Sequence, residues 1–146
     1  MERAGKEEGK GSITAFFTVL IEGDDMSDPI ADQSRSILDG HIVLSREMTD
    51  FGIYPPVHIL NSASRVMSDI ITPEHLKAVM KFRRLYTLLK ENETLIRIGA
   101  YTQGTDAELD EAINKKEDME AFITQKATVQ TNFSETSEAL IALMDA

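Results

Sequence analysis

The stretch that decides the fold of this chain is Ile13-Thr-Ala-Phe-Phe-Thr-Val-Leu-Ile21, followed by the acidic turn Glu22-Gly-Asp-Asp-Met-Ser-Asp-Pro29. The first run is apolar with almost no alternation, a pattern typical of a strand buried on both faces of a parallel sheet. Asp28 and Pro29 then predict a helix, with the aspartate as its N-cap and the proline at its first position. A buried strand followed at once by a helix indicates an α/β domain.

The rest of the first half fits the same interpretation. Two short apolar runs, residues 41–44 and 57–60, predict further buried strands. We expect a short helix between them at residues 47–51, because Gly52 would end it. The fold class predicted for residues 1–70 is therefore α/β, with a few parallel strands and helices.

The second half changes character at Thr72-Pro-Glu74. A capping threonine, a proline and an acid in the first turn predict a long helix, and apolar side chains recur at helical spacing through residue 90. We place the domain boundary near residue 70 and expect residues 71–146 to be all-helical. Ser134 is the expected cap of the last of three shorter helices, which we place at residues 107–114, 116–126 and 134–144.

Composition restricts the function classes. The chain has 146 residues, a net charge of −10 and no cysteine, which excludes disulfides, thiolate zinc sites and cysteine nucleophiles. Phosphate binding needs a basic face, so the charge argues against a nucleic-acid partner. The longest apolar run is too short to span a bilayer, and the charged N-terminus lacks a signal core. We therefore expect a cytoplasmic location.

No Gly-x-x-x-x-Gly-Lys-Ser/Thr motif occurs in the sequence. That motif supplies the backbone amides and the lysine that cradle a triphosphate, so this chain cannot cradle one alone. His41, His58 and His75 share no ligand spacing, and we predict no metal site. The sequence contains no Ser/His/Asp triad or pair of carboxylates at a spacing recognisable as catalytic.

Several motifs nevertheless occur in a telling order. The acidic turn, His41-Ile-Val-Leu-Ser-Arg46, Gly52-Ile-Tyr-Pro-Pro56 and Asn61-Ser-Ala-Ser-Arg65 together resemble the catalytic subunits of the rotary ATPases. The segment Ile98-Gly-Ala-Tyr-Thr-Gln-Gly-Thr-Asp-Ala-Glu-Leu-Asp-Glu-Ala-Ile113 is similar to the type III protein-export branch, and its details look flagellar. The resemblance implies the C-terminal part of an export ATPase, with residues 1–70 belonging to a RecA-like domain whose phosphate loop lies upstream.

The resemblance also implies an activity for the parent protein. It would hydrolyse ATP with Mg²⁺ as a ring, a hexamer, and so assist the export of flagellar proteins. The magnesium ligands of the family are not in this chain. The implied location is the base of the flagellar export apparatus.

Three residues carry the implied nucleotide contacts. Arg65 falls on the arginine finger, which reaches the γ-phosphate held by a neighbouring subunit, where a planar guanidinium neutralises charge on the equatorial oxygens. Tyr54 would line the adenine pocket by stacking, and Tyr101 would supply the other wall. The alternatives are structural: an ion pair of Arg65 with an acid such as Asp69, and tyrosines that only pack.

The acidic turn is the implied partner surface. In the related rotary motors this loop touches the central stalk, so Asp24, Asp25, Ser27 and Asp28 would contact a coiled-coil stalk-like protein. A solvated turn is the alternative, and the spacing does not match a calcium loop.

The remaining implied partners are other copies in the ring and the regulator and export-gate proteins of the flagellar apparatus, through which the protein would associate peripherally with the membrane. Two further hypotheses are a non-catalytic module that binds a stalk or chaperone, and a fragment of a β-type ATP synthase subunit.

Overall fold

The computed structural model describes Gly9, residues 11–24 and residues 27–145. Most of the described secondary structure is helical, and one two-stranded sheet lies in the first half. In chain order the elements are α1 (Pro29–Ile37), β1 (Gly40–His41), α2 (Arg46–Asp50), β2 (Ala63–Ser64), α3 (Met67–Ile70), α4 (Pro73–Glu91), α5 (Glu93–Arg97), α6 (Ala107–Ile123) and α7 (Phe133–Asp145).

Helix α4 is the centre of the second half. It packs against α6 and α7, and apolar side chains from all three helices form one buried core. Each fully buried Leu, Phe or Met side chain contributes about 1.5–3 kcal/mol by leaving water. The core consists of Ala78, Phe82, Leu85, Tyr86, Leu89, Ala112, Met119, Leu140 and Met144.

The start of α4 is set by local chemistry, as the sequence predicts. The Thr72 hydroxyl accepts a 3.3 Å hydrogen bond from the His75 amide, and Pro73 occupies the first helical position. Helix α6 begins in the same way, because Asp106 Oδ1 accepts from the amides of Glu108 and Leu109 at 2.9 and 3.1 Å. Side-chain caps satisfy amides that have no intrahelical partner.

Two details of the helical prediction are wrong. Residues 107–123 form one helix instead of two, since no glycine or proline interrupts them. Helix α7 is capped by Asn132 and not by Ser134. Asn132 Oδ1 accepts from the Glu135 amide at 2.9 Å and Glu135 Oε2 accepts from the Asn132 amide at 3.1 Å, which is a capping box, while the Ser134 hydroxyl donates to Glu138.

The described part of the first half contains an antiparallel pair of strands, where the sequence predicts parallel ones. Gly40 lies opposite Ser64 and His41 opposite Ala63, and one further bridge joins Leu44 to Val57. A side chain at position 40 would place its Cβ 2.9 Å from the Ala63 carbonyl oxygen, so this close pairing requires the glycine.

Residues 13–21 form no strand, although their pattern predicts one. Ile13, Phe16 and Leu20 are 80%, 91% and 91% exposed. A buried parallel strand needs neighbouring strands to bond its backbone and helices to cover its faces. Within the part of the chain that the structure describes, no strand pairs with this segment.

Helix α4 also contacts the first half of the chain, at α2 and the turn after it. Tyr86 is buried with its hydroxyl 4.0 Å from Met48 Sδ, and burial raises the pKa of this phenol. Lys90 Nζ lies 3.3 Å from Glu47 Oε1 and 4.7 Å from the centroid of the Phe51 ring. These contacts fix α2 and the turn after it against α4. Among the described helices, each is too short or too polar to cross a bilayer.

Candidate functional site

Arg65 directly follows β2, and its backbone is tied to the segment before β1. Its amide donates a 2.8 Å hydrogen bond to the Asp39 carbonyl. Its guanidinium donates to the carbonyls of Ser36 and Arg35, both at 3.2 Å. Those carbonyls lie at the C-terminus of α1, where the helix dipole favours a cation. The residue is exposed, so the guanidinium lies on the surface of the protein and not in its interior.

A cleft of about 360 Å³ surrounds this guanidinium. Arg35 lines it and pairs with Asp32 at 3.1 Å, while His41 Nε2 lies 2.8 Å from the Asn61 carbonyl oxygen and donates to it. Within the described residues Asp69 is not a partner of Arg65. The cleft therefore presents two guanidinium groups at an open surface, which is chemically suited to an anion. It is lined by Asp32, Arg35, Ser36, Gly40, His41, Ala63 and Arg65.

Tyr54 lies in the turn between α2 and β2. Its neighbour Ile53 is buried, whereas the Tyr54 residue is 51% exposed and is followed by a cis peptide bond to Pro55. The Tyr54 carbonyl accepts a 2.6 Å hydrogen bond from the Gln125 amide. The tyrosine therefore lies beside the end of α6 with part of its ring open to a ligand.

Tyr101 is engaged with the first turn of α6. Its hydroxyl lies 2.8 Å from Asp110 Oδ1 and 3.0 Å from the Asp106 carbonyl oxygen, and it donates to this pair. Asp110 Oδ2 also accepts from the Gly104 amide at 2.8 Å, which closes the loop. Desolvation raises the pKa of the Tyr101 phenol. The residue thus fastens a loop to a helix start.

The structure does not bring the two tyrosines together. Tyr54 bonds to Gln125, just beyond the C-terminus of α6, whereas Tyr101 bonds at its N-terminus. Helix α6 has 17 residues. At a rise of about 1.5 Å per residue, such a helix is about 25 Å long, which is too far for the ends to hold one base.

Gln125 is a residue that sequence reasoning missed. Besides the amide bond to Tyr54, its side-chain Nε2 donates to the Val129 carbonyl at 2.8 Å and lies 3.3 Å from Thr131 Oγ1. It therefore organises the loop between α6 and α7 next to the exposed tyrosine. No motif marks such a role, because it depends on a contact between segments far apart in sequence.

The acidic turn is described only in part. Asp28 is the N-cap of α1, as predicted, because its Oδ1 accepts from the amides of Ile30 and Ala31 at 2.9 and 3.0 Å. Ser27 is exposed, the chain turns at Gly23 with a φ of 62°, and Asp25 lies outside the described residues. In the described ranges, no group of three His, Cys, Asp or Glu residues could hold a metal ion.

Both halves of the chain match known families. Residues 71–142 match the T3SS EscN ATPase C-terminal domain. The chain belongs to the family of type III export ATPases. Residues 1–64 match the nucleotide-binding domain of the ATP synthase alpha/beta family. The family resemblance given by the sequence motifs is confirmed.

Individual relatives agree with this assignment. The "Flagellum-specific ATP synthase" of Helicobacter pylori strain 26695 is 67% identical over 144 residues, which are 96% of this chain and 33% of that protein. The assembled ATPase EscN of enteropathogenic E. coli superposes with a TM-score of 0.88 at 46% identity, over 92% of this chain and 33% of EscN. EscN in complex with its central stalk EscO superposes with a TM-score of 0.83 at 43% identity. The match covers 94% of this chain and 32% of EscN. The chain thus spans about a third of the proteins that it matches.

Proposed function

We propose that this chain is the C-terminal region of a ring-forming ATPase that powers or assists flagellar protein export. The observation that carries the proposal is that a match to the ATP synthase alpha/beta nucleotide-binding domain at residues 1–64 is followed by a match to the T3SS EscN ATPase C-terminal domain at residues 71–142. The substrate would be ATP with Mg²⁺, with its phosphates cradled outside this chain. We expect the protein in the cytoplasm at the base of the flagellar export apparatus.

In this proposal Arg65 acts on a nucleotide that a neighbouring copy holds. Its guanidinium is exposed, and within the part of the chain that the structure describes it bonds to two neutral carbonyls. A phosphate adds charge–charge attraction and bidentate geometry, which neutral carbonyls do not offer, so a γ-phosphate can draw the group away from α1. A trans-acting arginine of this kind is worth about 10³–10⁵ in rate in other nucleotide hydrolases.

Residues 1–70 would form the C-terminal portion of a RecA-like domain. Residues 13–21 are an exposed apolar segment, and strands from the rest of the domain would bond its backbone and cover its side chains. The match of residues 1–64 to a nucleotide-binding domain supports this proposal. The boundary near residue 70 stays a prediction.

The adenine contact is proposed for Tyr54, whose half-exposed ring can stack on a base. The contact implied for Tyr101 also stays a prediction, and the length of α6 between the two residues counts against it.

The proposed partners are further copies of the chain and a coiled-coil stalk-like protein, with regulator and export-gate proteins beyond them. EscN, which resembles the chain in fold and sequence, has been solved with its stalk EscO. For Asp24, Asp25 and Ser27 a stalk contact remains a proposal, whereas Asp28 already serves as a helix cap.

Mixed rings of the full-length protein would test the trans role of Arg65. Arg65→Ala should lower the ATPase rate by about 10³-fold or more and leave nucleotide binding largely intact. Subunits with a substituted phosphate-loop lysine should also be inactive. Mixing the two should restore part of the activity, because each defective subunit then supplies the group that its neighbour lacks.

The exposed Arg97 of α5 offers a matched control, and Arg97→Ala should leave turnover unchanged. Normal turnover of Arg65→Ala rings would refute the finger role. Absence of any recovery on mixing, in rings shown by mass to contain both subunits, would refute its action in trans.

A further inference from the structure

Arg83 of helix α4 holds the turn that precedes β2. Its Nη1 donates to the carbonyls of Ile59 and Ser62 at 2.8 and 3.3 Å, and its Nη2 donates to the Leu60 carbonyl at 3.0 Å. Three carbonyls of one turn thus converge on a single half-buried guanidinium. We propose that Arg83 is a positioning residue for Arg65 and that it couples the helical domain to the trans-acting guanidinium; this inference rests on the proposed function.

Hydrogen bonds and the strand pair β1–β2 link the turn at residues 58–62 to Arg65. Ser62 Oγ donates to the His58 carbonyl at 2.8 Å and accepts from the Val43 amide at 2.9 Å, which joins the turn to the chain after β1. Ala63 and Ser64 follow at once and pair with β1, and Arg65 comes next. Since only two residues separate Ser62 from Arg65, a shift of the turn displaces the base of the arginine side chain.

The chemistry of the contact requires an arginine. A guanidinium presents fixed donors that can satisfy several carbonyls at once, whereas a lysine is a single point charge on a flexible stem. Arg83 projects from α4, the central helix of the core formed with α6 and α7. A movement of the helical domain, such as one caused by a bound stalk, is therefore transmitted to the turn that presents Arg65.

The neighbouring arginine provides a control. Arg84 is exposed and forms an ion pair with Glu108 of α6, and it touches none of the three carbonyls. Arg83→Gln and Arg84→Gln remove the same charge from adjacent positions of the same helix. A difference between the two variants therefore reports the contact with the turn and not the charge of α4.

The test uses steady-state ATPase kinetics of the full-length ring. We expect Arg83→Gln to lower kcat by about 10- to 100-fold, the range for displacing a catalytic group by about 1 Å. The KM for ATP should change by less than about 2-fold, because Arg83 binds the turn before β2 and is not among the proposed nucleotide contacts. Arg84→Gln should match the wild type in both constants.

A double substitution separates positioning from a general structural effect. In rings that already carry Arg65→Lys, adding Arg83→Gln should not reduce kcat further if Arg83 acts through Arg65. An additive loss would overturn the inference, and so would a normal kcat for Arg83→Gln. Should Arg83→Gln fail to assemble, Arg83→Lys replaces it, since it keeps the charge and the stem; a wild-type kcat for that variant would likewise overturn the inference.

The two proposals fail in different ways. Normal turnover of Arg65→Ala would remove the finger itself. Loss of turnover in Arg65→Ala together with normal turnover in Arg83→Gln would leave the finger in place and remove only the positioning role.

Discussion

The amide of Gln125 donates a 2.6 Å hydrogen bond to the carbonyl of Tyr54, so the loop after α6 closes onto the turn that carries the exposed tyrosine. The two residues come from different halves of the chain. An adenine that stacks on Tyr54 would therefore lie beside the helical domain, and its affinity would depend on how closely that domain docks.

Tyr54→Ala should raise the KM for ATP of the full-length enzyme by about 10-fold, because stacking on an aromatic ring is worth about 1–3 kcal/mol per base. The kcat should change little, since a group that only stacks on the base binds the ground state and the transition state equally. Tyr54→Phe keeps the stacking face and should behave as wild type. Steady-state kinetics with ATP decide the matter, and an unchanged KM in Tyr54→Ala would exclude base stacking.

Local signals in the sequence predicted the helix starts well. The sequence predicts Asp28 and Thr72 as caps, and both accept hydrogen bonds from the first-turn amides of their helices. Caps depend on neighbours within a few residues, so the printed sequence contains the needed information. The buried strand predicted at residues 13–21 is not found in the structure. A strand depends on partners that are distant in sequence, and local signals do not report them.

The residues of the candidate site come from the family resemblance, and their roles stay predictions. The motif around Arg65 pointed to the residue, but nothing in it indicated the carbonyls of α1 or the role of Arg83. The family resemblance implies that Tyr54 and Tyr101 are two walls of one adenine pocket. Their separation follows only from α6 being one continuous helix, where the sequence pattern had predicted two.

Met119 should be a main contributor to the stability of the helical core. Met119 is 0% exposed, whereas Met80 on α4 is 61% exposed. Met119→Ala should lower the free energy of unfolding by about 2–5 kcal/mol, the range for deleting a large buried side chain. Met80→Ala is the matched control and should stay within about 0.5 kcal/mol of wild type. Denaturant titration of both variants gives the comparison, and equal losses would contradict the assigned core.

Lys115 should hold the end of α7. Its Nζ donates to the Leu143 carbonyl at 2.7 Å, and Lys81 donates to the Met144 carbonyl at 2.7 Å. Lysines at a helix C-terminus satisfy free carbonyls and interact favourably with the dipole. Lys115→Met should therefore lower the free energy of unfolding by about 1 kcal/mol and speed amide exchange in α7.

The adjacent Lys116 makes a surface pair with Glu120 at 3.9 Å, so Lys116→Met is the control for the loss of charge. Hydrogen exchange followed by mass spectrometry resolves the two variants. Equal exchange in α7 of both would show that the contact to Leu143 does not restrain the helix.

Stability should fall at high pH because of Tyr86. Burial raises the pKa of this phenol above its ordinary value, so at alkaline pH the unfolded chain loses the proton before the folded chain does. With fewer protons bound in the unfolded state, the free energy of unfolding decreases as pH rises above about 10. Tyr86→Phe should reduce this slope, because it removes the buried phenol and keeps the buried ring. Chemical denaturation between neutral pH and pH 11 measures the slopes, and the same alkaline loss in Tyr86→Phe and in the wild type would show that the buried phenol is not its source.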